Sequence, residues 1–137
     1  MNRIYHGIDL VDCQRIKKLV EKHGSRFLER VFTETERRYS DGYRQRFERL
    51  AGRFAVKEAV MKLLGTGWGA ELNWTDIETV NDGLGQPMVK LAGGAAEIAR
   101  RKRIGPVSVS ITHTRGWALA SALALGDGTE VDEEKRP

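Results

Sequence analysis

The run Leu50-Ala51-Gly52-Arg53-Phe54-Ala55-Val56-Lys57-Glu58-Ala59-Val60-Met61-Lys62-Leu63-Leu64 has no proline, is largely apolar, and leads straight into Gly65-Thr66-Gly67-Trp68-Gly69. A chain built around it has to bury one long helix and turn sharply where that helix ends. At 3.6 residues per turn, residues 47–64 place Phe47, Leu50, Ala51, Phe54, Glu58 and Met61 on one face. Glu58 thus falls near the middle of an apolar arc. A carboxylate there pairs with a cation, binds a metal or holds a proton, because an isolated charge is costly away from water. Lys62, one turn on, offers an intrahelical partner.

The remaining elements are shorter. Residues 3–11 alternate as a strand, with Ile4, His6, Ile8 and Leu10 on one face and Tyr5, Gly7, Asp9 and Val11 on the other. Asp9 is a carboxylate inside a strand, where aspartate is disfavoured. Asp12 is placed to cap a helix over residues 13–23, which Gly24 stops. A second helix follows over 25–32, and Thr33 with Glu36 has capping-box spacing for a third that ends near Asp41-Gly42. Residues 76–81 and 87–91 read as a hairpin across Asp82-Gly83-Leu84-Gly85-Gln86. Gly93-Gly94 breaks the chain before a short basic-ended helix over 95–103. Residues 107–113 and 117–125 read as a closing strand pair. The expected architecture is α+β, an antiparallel sheet packed on one side by helices, the long central helix among them. Residues 1–125 form one domain, and 126–137 form a charged tail expected to be disordered.

Charge is uneven. The formal net of +4 combines a tail of −3 with +7 on residues 1–125, and residues 14–53 hold twelve Lys or Arg against six Asp or Glu. Such a surface suits an acidic partner. Nucleic acid is the less suitable one, since neither an RNA-recognition signature nor an aromatic stripe on an expected strand is present. The apolar runs are too short to span a bilayer, so no membrane association is expected, and the absence of a leader pattern points to the cytoplasm. One cysteine excludes an internal disulfide, and three scattered histidines give no zinc spacing. The glycine loop lacks the Gly-Lys-Ser/Thr of a P-loop. His113, where a strand meets a turn, is open to a structural or a binding role.

Three separated motifs resemble one family. Gly7-Ile8-Asp9-Leu10-Val11-Asp12, Arg53-Phe54-Ala55-Val56-Lys57-Glu58-Ala59 with its Lys62-x-x-Gly65-Thr66-Gly67 continuation, and residues 108–114 resemble, in order and spacing, the holo-acyl-carrier-protein synthases, the small 4′-phosphopantetheinyl transferases. The resemblance implies transfer of 4′-phosphopantetheine from coenzyme A to a serine of apo-acyl-carrier protein, releasing adenosine 3′,5′-bisphosphate, in support of fatty acid biosynthesis. It implies Mg2+ on Asp9 and Glu58. Lys62 would contact the pyrophosphate, beside a close backbone approach at Gly65 and Gly67. Arg53, His113 and Thr114 would hold nucleotide phosphates, Glu58 and Lys62 would serve catalysis, and Lys57 would pack or pair. Arg15, Arg26 and Arg30 would dock the acidic carrier protein, and the assembly would be a homotrimer with sites between subunits. The tail runs past the family's usual end. Apart from the resemblance, a coenzyme A-binding oligomer without turnover and a nucleic-acid-binding domain are the competing readings.

Overall fold

The computed structural model describes residues 2–67, 69 and 71–128. Its element order is β1 (Arg3–Asp12), α1 (Cys13–His23), α2 (Ser25–Val31), α3 (Glu34–Ser40), α4 (Arg46–Leu64), a 3-10 turn (Trp74–Asp76), β2 (Ile77–Asn81), β3 (Pro87–Leu91), α5 (Gly93–Arg101), β4 (Ser108–Thr114) and β5 (Trp117–Gly126). The caps read from sequence form. Asp12 accepts from Gln14 N at 2.9 Å, and Thr33 and Glu36 exchange both bonds of a capping box.

The fold is α+β, as expected, but its strands divide between two sheets. β1, β5 and β4 form an antiparallel sheet in that order, and β2 pairs only with β3. β3 faces β4 across a groove of about 680 Å³ lined by Val89, Leu91, Ala99, Ile104 and Val109 among others. The Gly93-Gly94 pair does not break the chain. It opens α5, whose first turn is seated so closely on the segment between α4 and the 3-10 turn that a Cβ at Gly94 would lie 1.8 Å from the Glu71 carbonyl oxygen. The last strand also runs further than expected, since Gly126 pairs with Arg3 and Asp127 accepts from Arg103. Residues 129–137 of the expected tail lie outside the described residues.

α4 lies across the sheet on a surface of small residues. Ala118, Ala120, Ala122 and Ala124 of β5 are buried, as is Gly7 of β1, and a Cβ at Gly7 would come within 1.8 Å of the Ala59 carbonyl oxygen. With the sheet on one side and α1, α3 and β2 on others, α4 is buried nearly all round from Leu50 to Leu64. Glu58 and Lys62 are the exceptions. The helical wheel therefore misplaces Glu58, which marks the open stripe of the helix and not the centre of its apolar arc.

A buried ion pair fixes the other flank. Lys57 Nζ lies 2.7 Å from Glu36 Oε1, both side chains fully buried, and donates to the carbonyls of Trp74 and Ile77. The second Glu36 oxygen accepts from Thr79 N at 3.0 Å. Burial pushes the Lys57 ammonium below its ordinary value while the Glu36 charge opposes that shift. Removing one partner of such a pair costs about 3–5 kcal/mol, because it strands a buried charge. Among the described residues no helix is long and apolar enough to cross a membrane.

The strand–helix contact makes a direct prediction. Gly7→Ala has no room for its methyl, so urea unfolding should show a loss of about 3 kcal/mol or more, at the upper end of overpacking costs. Ala122→Gly, on the same surface, should cost only about 1 kcal/mol.

Candidate active site

The Gly7–Ala59 contact determines what lies beside it. Asp9, two residues past Gly7 and on the same strand face, is delivered to α4 next to Glu58 and Lys62. Lys62 Nζ donates to Asp9 Oδ1 at 3.2 Å and to the Ile8 carbonyl at 2.9 Å. The intrahelical partner expected for Lys62 is thus replaced by one on the strand, and among the described residues no donor hydrogen-bonds the Glu58 carboxylate. Burial, then the charge of Asp9, push the Glu58 carboxyl above its ordinary value, against the opposing pull of Arg15 and Lys62.

Two hard oxygen donors that repel each other, one half-buried and without a hydrogen bond, form a suitable seat for an oxygen-seeking divalent ion. The described residues hold no group of three or more His, Cys, Asp or Glu that could cage a metal by itself. Two carboxylates match an ion such as magnesium, which takes one or two from the protein and completes its shell with phosphate oxygens and water.

Beside Glu58 a hollow of about 250 Å³ is walled by Leu19, Phe27, Phe54 and Trp74 and rimmed by Arg15 and Arg30. Phe54 stacks on Trp74 with centroids 5.1 Å apart, and the Arg15 guanidinium lies 5.6 Å from the Phe54 ring centroid. Arg26 is exposed on α2. α4 ends at Gly65 in the left-handed conformation, where Lys102 Nζ donates to the Leu64 carbonyl at 2.7 Å, and Gly67 is exposed just beyond.

The other expected residues lie elsewhere. His113 Nε2 donates to the Glu48 carbonyl at 3.0 Å, at the opposite end of α4. With that nitrogen used, Nδ1 can donate to a ligand only in the imidazolium form. His113 lines a hollow of about 490 Å³ with Tyr39, Gln45, Glu48 and Arg49, and Thr114 follows it in the open. Glu48 and Glu58 are ten residues apart, about 15 Å along the axis. Arg53 is only 4% exposed: its Nη2 donates to Asn81 Oδ1 at 2.9 Å, and its guanidinium packs 3.7 Å from the centroid of Tyr39. It stands behind Tyr39, not at the surface of the hollow.

Sequence reasoning missed Arg49, Tyr39, Trp74 and Asn81. Arg49 was one of twelve basic residues in its region, with nothing to single it out. Glu36 was fully accounted for as a cap. Lys57 carried a signal that could have been read further: a lysine flanked on every side by buried positions of one helix needs a buried partner.

The raised Glu58 carboxyl has a consequence for stability. The folded chain keeps this proton to higher pH than the unfolded chain, so the group's stabilising contribution is complete below the ordinary carboxylate value of about 4.3. It is lost as pH rises through the raised value. Thermal unfolding in metal-free buffer should therefore show Glu58→Gln gaining on the wild type between pH 4 and pH 7. A constant difference across that range would contradict the electrostatics described.

The 4′-phosphopantetheinyl transferase superfamily profile matches residues 6–120. A holo-[acyl-carrier-protein] synthase of Clostridium tetani is 43% identical over 121 residues, spanning 88% of this chain and 94% of that protein. Another, from Brucella ovis, is 41% identical over 131 residues, spanning 93% and 96%. Among solved structures, the Neisseria meningitidis holo-[acyl-carrier-protein] synthase has a TM-score of 0.80 at 30% identity, covering 88% of this chain and 96% of its own. That of Helicobacter pylori, in complex with coenzyme A, has a TM-score of 0.77 at 33% identity, covering 87% and 98%. Matches of this breadth, in sequence and in fold alike, mean that the chain belongs to the holo-acyl-carrier-protein synthases of the 4′-phosphopantetheinyl transferase superfamily.

Proposed function

We propose that this enzyme moves the 4′-phosphopantetheine arm of coenzyme A to a serine of apo-acyl-carrier protein, with Mg2+, in the cytoplasm and in support of fatty acid biosynthesis. The observation that carries the reading is the meeting of Asp9, Glu58 and Lys62 at the strand–helix contact. Asp9 and Glu58 would hold the ion, which when bound supplies positive charge to the pyrophosphate. Lys62 has its ammonium at the Asp9 carboxylate and a side chain long enough to turn toward a phosphate. In the reaction the serine oxygen bonds to the β-phosphorus, the bond from that phosphorus to the bridging oxygen breaks, and adenosine 3′,5′-bisphosphate leaves with the electron pair. Glu58, ionised, is the group on hand to take the serine proton, directly or through water. Gly65 and Gly67 admit the ligand close to the backbone.

The apolar hollow beside Glu58, with Arg15 and Arg30 at its rim and Arg26 further along α2, suits an acidic helical carrier protein. Charge of this sign speeds encounter and weakens with salt.

Mass spectrometry of apo-acyl-carrier protein incubated with the enzyme and coenzyme A should show a phosphopantetheine mass increase with magnesium and none with chelator. Asp9→Ala and Glu58→Ala should fold and lose activity. A unit charge at about 4 Å and an effective dielectric near 20 is worth about 4 kcal/mol, or about a thousandfold if realised only in the transition state. Full activity in both variants would overturn the site assignment.

A homotrimer completes this reading. The outer face of the β1–β5–β4 sheet presents Ile4, Ile8, Leu10, Trp117, Leu123 and Leu125, each 43% to 65% exposed. Nothing among the described residues covers them, and an apolar surface of this kind marks association. The distance between His113 and Glu58 along α4 also favours a site shared by two copies. If it is shared, mixing inactive Glu58→Ala and His113→Ala variants and letting subunits exchange should restore activity. About one quarter of the sites would then be intact, as random assortment in a symmetric ring requires. No recovery after exchange would assign both residues to one chain's site.

A further inference from the structure

Four side chains from α3, α4 and the turn between them form an alternating column: Arg53, Tyr39, Arg49, Tyr43. The guanidinium carbons of Arg53 and Arg49 lie 3.7 Å and 4.4 Å from the Tyr39 ring centroid, and that of Arg49 lies 3.6 Å from the Tyr43 centroid. Arg49 Nη1 also donates to the Tyr39 carbonyl at 3.2 Å. Arg49 and Tyr39 line the hollow that His113 closes, whereas Arg53 does not.

The buried end of the column is anchored. Arg53 Nη2 donates to Asn81 Oδ1, and its Nε is buried without a partner among the described residues. Asn81 ends β2, which Glu36 and Lys57 tie down through Thr79 N and the Ile77 carbonyl. Tyr39 lies one turn after Glu36 on α3. The same buried ion pair therefore locates both the aromatic ring and the asparagine that hold Arg53. The planar Arg49 guanidinium, set between the Tyr39 and Tyr43 rings, has little freedom, so its position follows theirs.

We propose that Arg53 serves the nucleotide by positioning and not by contact: through Tyr39 it sets the Arg49 guanidinium, which with His113 receives the phosphate of an adenosine 3′,5′-bisphosphate group. This rests on the reading that the hollow takes the nucleotide end of coenzyme A. Arg49 is then a contact residue, and Tyr39, Arg53 and Asn81 are positioning residues. Glu58 and Lys62 lie on another face of α4, with Asp9 of β1 beside them, so chemistry after binding is unaffected by the column.

The test is calorimetric binding of adenosine 3′,5′-bisphosphate, with KM for coenzyme A and kcat in parallel, on the full chain. Arg49→Ala should weaken binding about tenfold or more, the scale of one charge-assisted hydrogen bond. Tyr39→Leu and Asn81→Ala should each weaken it several-fold and raise KM while leaving kcat within about twofold of the wild type. Tyr39→Phe, which keeps the ring, should recover most of the loss. Asn81 is exposed, so its truncation leaves the core intact and the test holds even if Tyr39→Leu fails to fold. Wild-type binding by both Asn81→Ala and any folded Tyr39→Leu, with Arg49→Ala impaired, would overturn the positioning proposal and leave the site reading standing. Wild-type binding by Arg49→Ala would overturn the placement of the nucleotide in this hollow, and the proposal with it.

Discussion

The backbone of α4 touches β1 at Gly7, and most of the architecture depends on that contact. A helix can come this close to a sheet only over residues without bulk, and the inner face supplies them in Gly7 and the four alanines of β5. The arrangement gives up side-chain area that larger residues would have buried. It gains proximity, since groups on the strand and on the helix come within reach of each other across a gap that ordinary helix-on-sheet packing would leave wider.

The large side chains displaced from the inner face are on the outer one. Ile4, Ile8, Leu10, Leu123 and Leu125 face away from α4 and are exposed among the described residues. Strand alternation puts these residues at the parity opposite to the glycine and alanines that face the helix. Close helix packing and an exposed apolar stripe on the outer face are thus both readable in one alternating pattern. The flank away from the sheet is handled differently, by the Glu36–Lys57 pair, which binds α3, α4 and β2 through fixed hydrogen bonds where hydrophobic packing alone would have let them slide.

Most elements were legible because their signals were local. The Asp12 cap, the Thr33–Glu36 capping box and the Gly65 stop each depend on residues within a few positions, and each appears where the spacing put it. What was not legible depends on partners distant in sequence. The alternation of residues 3–11 was evident, but not which face α4 would take. The wheel placed Glu58 in an apolar arc because α4 is buried nearly all round, and a helix with no dominant polar face gives the wheel little to read. Glu36 satisfied a local rule so completely that its second role, with Lys57 and Thr79, left no trace in the pattern. Asp9 and Glu58 stood out by breaking local rules, and functional residues are expected where such conflicts occur.

The two carboxylates show why the conflict persists in the folded chain. Burial at the strand–helix contact raises the cost of ionising Glu58, and the charge of Asp9 beside it adds to that cost. A fold selected for stability alone would separate them or pair each with its own cation. Here the Lys62 ammonium is hydrogen-bonded to Asp9, and Glu58 has no donor among the described residues. The close approach at Gly7 therefore does more than pack a helix. It holds two carboxylates near each other, and paired oxygen donors of that kind are what would attract a divalent ion. Bulk at position 7 would relieve the repulsion by pushing the strand away from the helix. In doing so it would separate the pair of oxygen donors on which the proposed chemistry depends.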